Sequence, residues 1–388
     1  MAHFGDLQNA IYRDGAAGRR PRFPLTPDDL ERAARGVMSD AAWAYVAGGA
    51  GTERTMRANT EAFERRRLVP RMLREVVGRD LTTELFGRRI AAPLLTAPIG
   101  ALGLVHPEPE LAVAAVTARL GVGAVITTMA QAPLEHVAAA APEGLRWYQL
   151  YWPADDEVAE SMVRRAEAAG YGAIVVTLDT WTLGWRPRDL ARGSSPFLAA
   201  IGLANHLTDP VFRSKLAAPP EISHQAMRAA VDAALGIFGR PSLTWQDLSL
   251  LRQWTSLPVV VKGVCHPDDA RAAVDAGMDG IIVSNHGGRQ VDGARAALDC
   301  LADVADAVGE RTTLLFDSGI RCAADVVVAL ALGARAVLLG RPWVHGLALG
   351  GADGIDHVLR HLLAELDLTL ALCGHSTPAT LDRTTLGP

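Results

Sequence analysis

The stretch GIIVSNHGGRQVDG, residues 280–293, opens as an apolar β-type run and closes with a base, two glycines and a fixed cation. Gly280–Val283 has no polar face, as a strand buried on both sides requires. Ser284, Asn285 and His286 follow at once, and then comes a helical stretch, AALDCLADVADAVG. A buried strand that ends in reactive groups and leads into a helix is one unit of an α/β protein. How many such units the chain holds decides between a closed barrel and an open, doubly wound sheet.

Working outward, the same unit recurs on both sides. Towards the C-terminus, TTLLFDSG (312–319) precedes CAADVVVALALG, and ARAVLLGR (334–341) precedes a helical region at 352–373. Towards the N-terminus, LPVVVKG (257–263) precedes PDDARAAVDAG, AIVVTLD (173–179) stands before a long segment, and RWYQLYW (146–152) precedes DDEVAESMVRRAEAAG. GAVITT (123–128) precedes PLEHVAAAA, and APLLTAP (92–98) precedes PELAVAAVTARLG. Eight units predict a TIM (β/α)8 barrel. The doubly wound sheet is the alternative, but no Gly-x-Gly-x-x-Gly follows any strand, so nothing supports dinucleotide binding.

We read residues 1–388 as a single catalytic domain. Residues 1–90 are an N-terminal extension, 91–373 the barrel and 374–388 a tail. Within the extension, 25–67 reads as helices, TPDDLERAARG starting at a Thr N-cap. The segment at about 185–241, between the fourth strand and its helix, is far longer than an ordinary βα loop. With SSPF, TDPVF and APPEIS in it, a lid or partial disorder is expected there.

Composition narrows the function. Net charge is -5, and no basic tract or aromatic series suggests a nucleic-acid surface. No apolar run is long enough to span a bilayer, and MAHFGDLQNAIYRDG has no apolar signal-peptide core. Cys265, Cys300, Cys322 and Cys373 form no Cys-x-x-Cys pair or zinc-type cluster, so we expect reduced thiols, no metal and a cytoplasmic location. Of 38 basic residues only Lys215 and Lys262 are lysines. Lys262 ends the fifth strand, where a compact ammonium on a flexible stem has a use.

In TIM barrels chemistry gathers at the C-terminal strand ends. Here those ends carry Thr127, Gln149 and Tyr151, Thr177 and Asp179, Lys262, Ser284 and His286, Asp317, and Gly340–Arg341. Singly, each has an ordinary structural explanation: Asp179 as a helix cap, His286 as a satisfied loop histidine. Jointly they predict a site. DSGIRCAADV and LLGRP, with Gly319, Arg321, Gly340 and Arg341, suit a phosphate. Gly287 and Gly288 let the backbone approach a flat ligand. Arg289 offers a fork for a carboxylate, and Asp179 can support an imidazolium at His286. A base beside a carboxylate clamp suits oxidation of a 2-hydroxy acid, and the missing electron acceptor, anchored by phosphate, suggests FMN.

SNHGGRQ resembles the signature of the FMN-dependent 2-hydroxy acid oxidase and dehydrogenase family, and the likeness runs from AYVAGGAGTERT to LGRP. Within that family GDLQNAIY, YVAGGAGTERTMRANTEAF, TLDTWTLGWRPRDL and LTDPVF are most similar to lactate 2-monooxygenase. The resemblance implies that His286 is the base and Asp179 its partner. Arg289 and Arg186 hold the substrate carboxylate with Tyr45, and Tyr151 hydrogen-bonds the substrate hydroxyl. Lys262 faces the flavin N1/C2 carbonyl. Thr127, Gln149, Thr177 and Ser284 contact the ring or ribityl chain, and Asp317, Gly319, Arg321, Gly340 and Arg341 the phosphate end. The backbone of Ala97, Pro98, Ile99 and Gly100 runs beside the isoalloxazine. Met129 stands where many members have Trp, and Gly100 where many have Ala, the missing methyl being expected to leave room beside the flavin.

The leading expectation is oxidation of L-lactate with O2 as acceptor, coupled to decarboxylation into acetate, CO2 and water. The alternative keeps the site and takes a longer or aromatic, mandelate-like 2-hydroxy acid, releasing keto acid and H2O2. A flavin-binding protein without turnover is argued against by the intact set His286, Asp179, Arg289 and Tyr151. A hydrolase lacks a serine or cysteine nucleophile with a base and its orienter. The resemblance also implies a homo-oligomer, a tetramer or octamer.

Overall fold

The computed structural model describes residues 3–387. Eight parallel strands close into a barrel: β1 (Leu94–Thr96), β2 (Gly123–Thr127), β3 (Leu145–Leu150), β4 (Ile174–Thr177), β5 (Val259–Val264), β6 (Gly280–Val283), β7 (Thr313–Phe316) and β8 (Ala336–Leu339). β8 pairs with β1, Val337 opposite Leu94 and Leu339 opposite Thr96, which closes the sheet and leaves no edge. The fold is the expected TIM barrel, and the doubly wound alternative falls away.

Strand alternation sorts the side chains. Leu95, Val125, Trp147, Val175, Val260, Ile282, Leu315 and Leu338, one from each strand, meet inside the barrel. Their neighbours Ile126, Tyr148, Val176, Val261, Val283, Phe316 and Leu339 belong to the outer core. Both faces are therefore apolar, which is why the sequence shows runs rather than alternation. A hairpin, Thr83–Leu85 with Arg88–Ile90, stoppers the lower end. Its Leu85, Phe86 and Ile90 pack on the inner cluster, with Phe86 5.5 Å from the Trp147 ring. Truncating one of these inner residues to alanine costs about 2–5 kcal/mol.

Four helices precede the barrel: α1 (Asp6–Ala16), α2 (Pro27–Val37), α3 (Asp40–Ala47) and α4 (Arg54–Glu64). α2 starts as expected at Thr26, whose hydroxyl accepts from the Asp29 N–H, with Pro27 in the first turn. α1 lies outside the expected helical span. It buries none of its residues, so no apolar face announces it. The last helical region is two helices, 341–349 and 352–372, meeting at a kink where Gly350 and Gly351 leave helical geometry, with φ +57° at Gly351; the second matches the expected 352–373.

The segment 185–241 corrects the expectation of partial disorder. Five short helical turns lead into a regular helix, His224–Gly236. Asn205 is fully buried. Its amide nitrogen donates to the Thr127 and Thr128 carbonyls and its oxygen accepts from the Leu134 N–H. Asp209, also fully buried, pairs with Arg165 at 3.0 Å and accepts from the Val211 and Phe212 N–H groups. Residues that read as loop polarity are anchors and caps, because a buried polar group must find a partner.

Candidate active site

Two residues beyond the inner apolar layer, the same alternation brings Ala97, Thr127, Gln149, Thr177, Lys262, Ser284, Asp317 and Gly340 to the top of the barrel, one from each strand. The polar members are tied together. Thr127 Oγ1 donates to Gln149 Oε1 and Gln149 Nε2 to Thr177 Oγ1, both at 3.0 Å. Lys262 Nζ donates to Ser284 Oγ at 2.9 Å and pairs with Asp317 Oδ2 at 3.0 Å. Burial alone would push the Lys262 ammonium down, but Asp317 and then Asp179 raise it above its usual value, so it keeps its charge inside the barrel.

Above this ring stands His286, its Nδ1 2.8 Å from Asp179 Oδ1. A carboxylate only accepts, so Nδ1 carries the proton and Nε2 keeps a lone pair. Burial pushes the imidazole below its usual value by more than Asp179 raises it, and Lys262 and Arg186 push the same way. Burial would also raise the Asp179 carboxyl, but the charge and hydrogen bond of His286, then Lys262 and Thr180, hold it at about 2. The pair is thus a neutral imidazole on an ionised carboxylate, the resting state of a general base. His286 adopts φ +58°, a left-handed conformation costing a non-glycine residue roughly 1–2 kcal/mol. Ser284 Oγ holds it by accepting the His286 N–H at 3.0 Å, and Ser318 Oγ by accepting the Gly287 N–H at 3.0 Å.

Two pairs of cations flank the base. Arg289 Nη1 donates to the carbonyls of Tyr45 at 2.6 Å and Gly48 at 2.7 Å, with its guanidinium 5.0 Å from the Tyr45 ring centre. Arg186 donates to the Arg289 carbonyl and to Gln290 Oε1. Burial and the neighbouring Arg186 push Arg289 down to about 10. On the side of β7 and β8, Arg341 donates to the carbonyls of Val46, Gly287 and Gly48. Burial, Arg321 and Arg289 push it down to about 9, and burial lowers Arg321 too. Both values still leave charged guanidiniums at neutral pH. Arg289 and Arg341, each pushed down by neighbouring arginines, mark a surplus of positive charge that anions would relieve: one near the base, one at the start of the helix that begins at Arg341.

A cleft opens at the top of the barrel. His286, Arg289, Arg186, Tyr45, Tyr151, Lys262, Asp317, Gly319, Arg321, Gly340, Arg341 and the stretch Ala97–Gly100 all line it, while Thr127, Gln149, Thr177 and Ser284 form the ring below. Burial raises the Tyr151 and Tyr45 phenols, so both remain hydrogen-bond donors at neutral pH.

Two expectations about glycine change. A Cβ on Gly100 would sit 2.8 Å from Met129 Cβ, so the missing methyl makes room for Met129 and not for a reactant. A Cβ on Gly288, at φ +76°, would sit 2.5 Å from the Met56 backbone nitrogen. That glycine therefore lets the His286 loop press against α4 instead of a ligand.

Sequence reasoning missed the residues that fix this loop. Asn59 on α4 and Asn285 exchange amide hydrogen bonds at 2.8 and 2.7 Å. Gln290 Nε2 donates to the carbonyls of Asp179 and Thr182. The one signal was the amide-rich edge of SNHGGRQ. Asn59 had none, being distant in sequence.

A closed barrel that gathers a histidine–carboxylate pair, a buried ammonium and two pairs of arginines at its mouth suits a flavin-type oxidoreductase acting on hydroxy acids. Residues 34–388 match the family described as FMN-dependent dehydrogenase, and the chain belongs to the FMN-dependent 2-hydroxy acid oxidase and dehydrogenase family. The FMN-dependent alpha-hydroxy acid dehydrogenase qulF of Penicillium citrinum is 44% identical over 98% of this chain and 95% of its own length. L-lactate oxidase of Lysinibacillus sphaericus is 40% identical over 94% and 93%. A solved structure of mandelate oxidase with (S)-4-hydroxymandelic acid superposes with a TM-score of 0.83 at 40% identity, covering 94% of this chain and 98% of that one. The protein is an FMN-dependent enzyme oxidising 2-hydroxy acids. These relatives are oxidases and dehydrogenases, so the family stands but the lactate 2-monooxygenase branch does not follow from them.

Proposed function

We propose that the protein is an oxidase of an L-2-hydroxy acid with an aromatic or long apolar side chain, passing electrons to O2 and releasing keto acid and H2O2. The carrying observation is the apolar part of the cleft wall. Met129, Leu183, Phe197 and Phe238 line it, and Phe238 lies 5.5 Å from the Tyr151 ring. A methyl group would leave much of that wall uncovered, whereas a phenyl ring would bury it at roughly 25 cal/mol per Å². The relative solved with 4-hydroxymandelic acid supports the same reading.

Bound FMN supplies the two-electron acceptor. Arg321, Arg341 and the helix start at Arg341 would hold its phosphate, Thr127, Gln149, Thr177, Ser284 and Asp317 its polar edges, and Lys262 its negative charge. Arg289 and Arg186 take the substrate carboxylate, with Tyr45 beside them and Tyr151 donating to the hydroxyl. His286 removes a proton at Nε2, and Asp179 balances the imidazolium. A homo-oligomer, tetramer or octamer, in the cytoplasm goes with this proposal, and light scattering tests its size.

A second reading keeps L-lactate as substrate, with oxidative decarboxylation to acetate. The lactate oxidase relative favours the substrate, and the anchored 185–241 segment over the mouth favours retention of product. The deciding test is anaerobic bleaching of the bound flavin by a panel of L-2-hydroxy acids. Faster bleaching by mandelate or a long-chain acid than by lactate supports the proposal. The reverse order moves the assignment to lactate.

A further inference from the structure

Thr180 follows Asp179 directly and is only 2% exposed. Its Oγ1 donates to Asp179 Oδ1 at 2.8 Å and lies 3.1 Å from His286 Nδ1. Asp179 Oδ1 therefore serves both the imidazole and the hydroxyl, while the buried Oδ2 has no hydrogen-bond partner among the described residues. Gly263, in the bulge of β5, stands against that second oxygen: a Cβ there, at φ +106°, would lie 2.8 Å from Oδ2. The carboxylate is packed so that all its hydrogen bonding converges on one oxygen.

We propose that Thr180 is a positioning residue that sets both the orientation and the basicity of His286. This rests on His286 being the base. The hydroxyl donates to the same oxygen that receives the imidazole proton, so it competes for that oxygen's charge. A carboxylate oxygen already holding a hydrogen bond stabilises an imidazolium less, which keeps the base neutral at working pH. The hydroxyl also fixes the rotation of the carboxylate and so the plane of the ring. Lys262 on β5, Arg186 in the inserted segment, Tyr151 beyond β3 and Cys265 beyond β5 also face the pair. Lys262 and Arg186 act on it by charge, and among the described residues only Thr180 shares its oxygen. A threonine with a merely structural role would leave the proton affinity of His286 unchanged.

The test uses the FMN-loaded enzyme and its fastest hydroxy acid, with anaerobic flavin bleaching followed from acid to neutral pH. Thr180→Val, which keeps the shape and loses the donor, should move the acid limb up by about half to one pH unit, a part of what a hydrogen bond to a carboxylate contributes. Thr180→Ser should keep the wild-type limb. A ¹⁵N titration of His286, identified by its loss in His286→Ala, should show the same upward shift in Thr180→Val without any turnover. A limb and an imidazole titration that stay put in Thr180→Val, or that move equally in Thr180→Ser, overturn the inference. If Thr180→Val does not retain FMN, Thr180→Ala set against Thr180→Ser carries the same comparison. Near-normal bleaching by His286→Ala would instead overturn the assignment of the base, a separate failure.

Discussion

At the scale of single residues, one oxygen and one nitrogen decide the chemistry. His286 is neutral because burial outweighs its ion-pair partner, and Asp179 is ionised because its partners outweigh burial. Between pH values just above the Asp179 value and just below the imidazole's, the histidine is protonated and unable to act. The rate should thus fall with acid, with a midpoint below the usual value for histidine, about 6.5. His286→Ala should still bind FMN but bleach it about 10²–10⁴-fold more slowly, and Asp179→Asn should bleach slowly with its acid midpoint moved lower still, because the carboxylate that raises the imidazole is gone. Normal bleaching in either variant removes that residue from the mechanism. The ring of site residues was legible because a period of two carries an apolar strand straight to its polar end. Thr180 and Ser318 were not, since a small hydroxyl beside a charged group is commonplace in loops. Gly100 was misread because its meaning depends on Met129, across the barrel mouth. Gly100→Ala should therefore cost about 1–3 kcal/mol as overpacking and leave the product ratio unchanged. An unchanged melting temperature with altered products would restore the idea that the glycine makes room for oxygen.

At the scale of elements, the barrel strands announced themselves and the accessory segments did not. A buried strand is apolar at every position, so eight of them stand out. The 185–241 segment hides its order because its ties are polar and individually ordinary. Asn205 is the clearest, with three hydrogen bonds reaching from the insertion to the β2 loop. Asn205→Leu would fill the same space and strand two carbonyls and one N–H in a buried place, each costing about 1–3 kcal/mol. We expect a lower urea midpoint, faster proteolysis within 185–241 and a raised KM, with FMN content little changed because no phosphate-side residue moves. A variant as stable and as resistant to protease as wild type would show that the insertion is held by its apolar contacts alone. The α4 helix plays the matching part on the other side, where Asn59 grips Asn285 and a glycine lets the His286 loop lie against it. Only the spacing of elements in space, absent from any linear pattern, pairs 59 with 285.

At the scale of the whole molecule, the question is what leaves the cleft after oxidation. Decarboxylation by peroxide needs the keto acid and H2O2 to be held together. With Gly100 filled by Met129, nothing beside the flavin stretch is enlarged for that purpose, and retention falls to the inserted segment and the apolar wall. That wall is built of Met129, Leu183, Phe197 and Phe238, and Leu183 is 47% exposed at the mouth. A wall open at one edge grips a large apolar product weakly at that edge and a small one hardly at all, so either keto acid should depart before peroxide attacks it. In air, mandelate or a long-chain hydroxy acid should give keto acid and H2O2 in equal amounts, and lactate, if turned over, should give pyruvate and H2O2 at a lower kcat/KM. Catalase-free quantification of keto acid, peroxide, CO2 and acetate from a single reaction checks this. Acetate and CO2 from lactate, with peroxide absent from the earliest times, would establish that the insertion does hold the product and would return the enzyme to the monooxygenase reading. Phe238→Ala then separates the two roles of the wall: it should raise KM for the aromatic acid while leaving lactate nearly unaffected, and an equal loss for both would place Phe238 in support of Tyr151 instead of in contact with the substrate side chain.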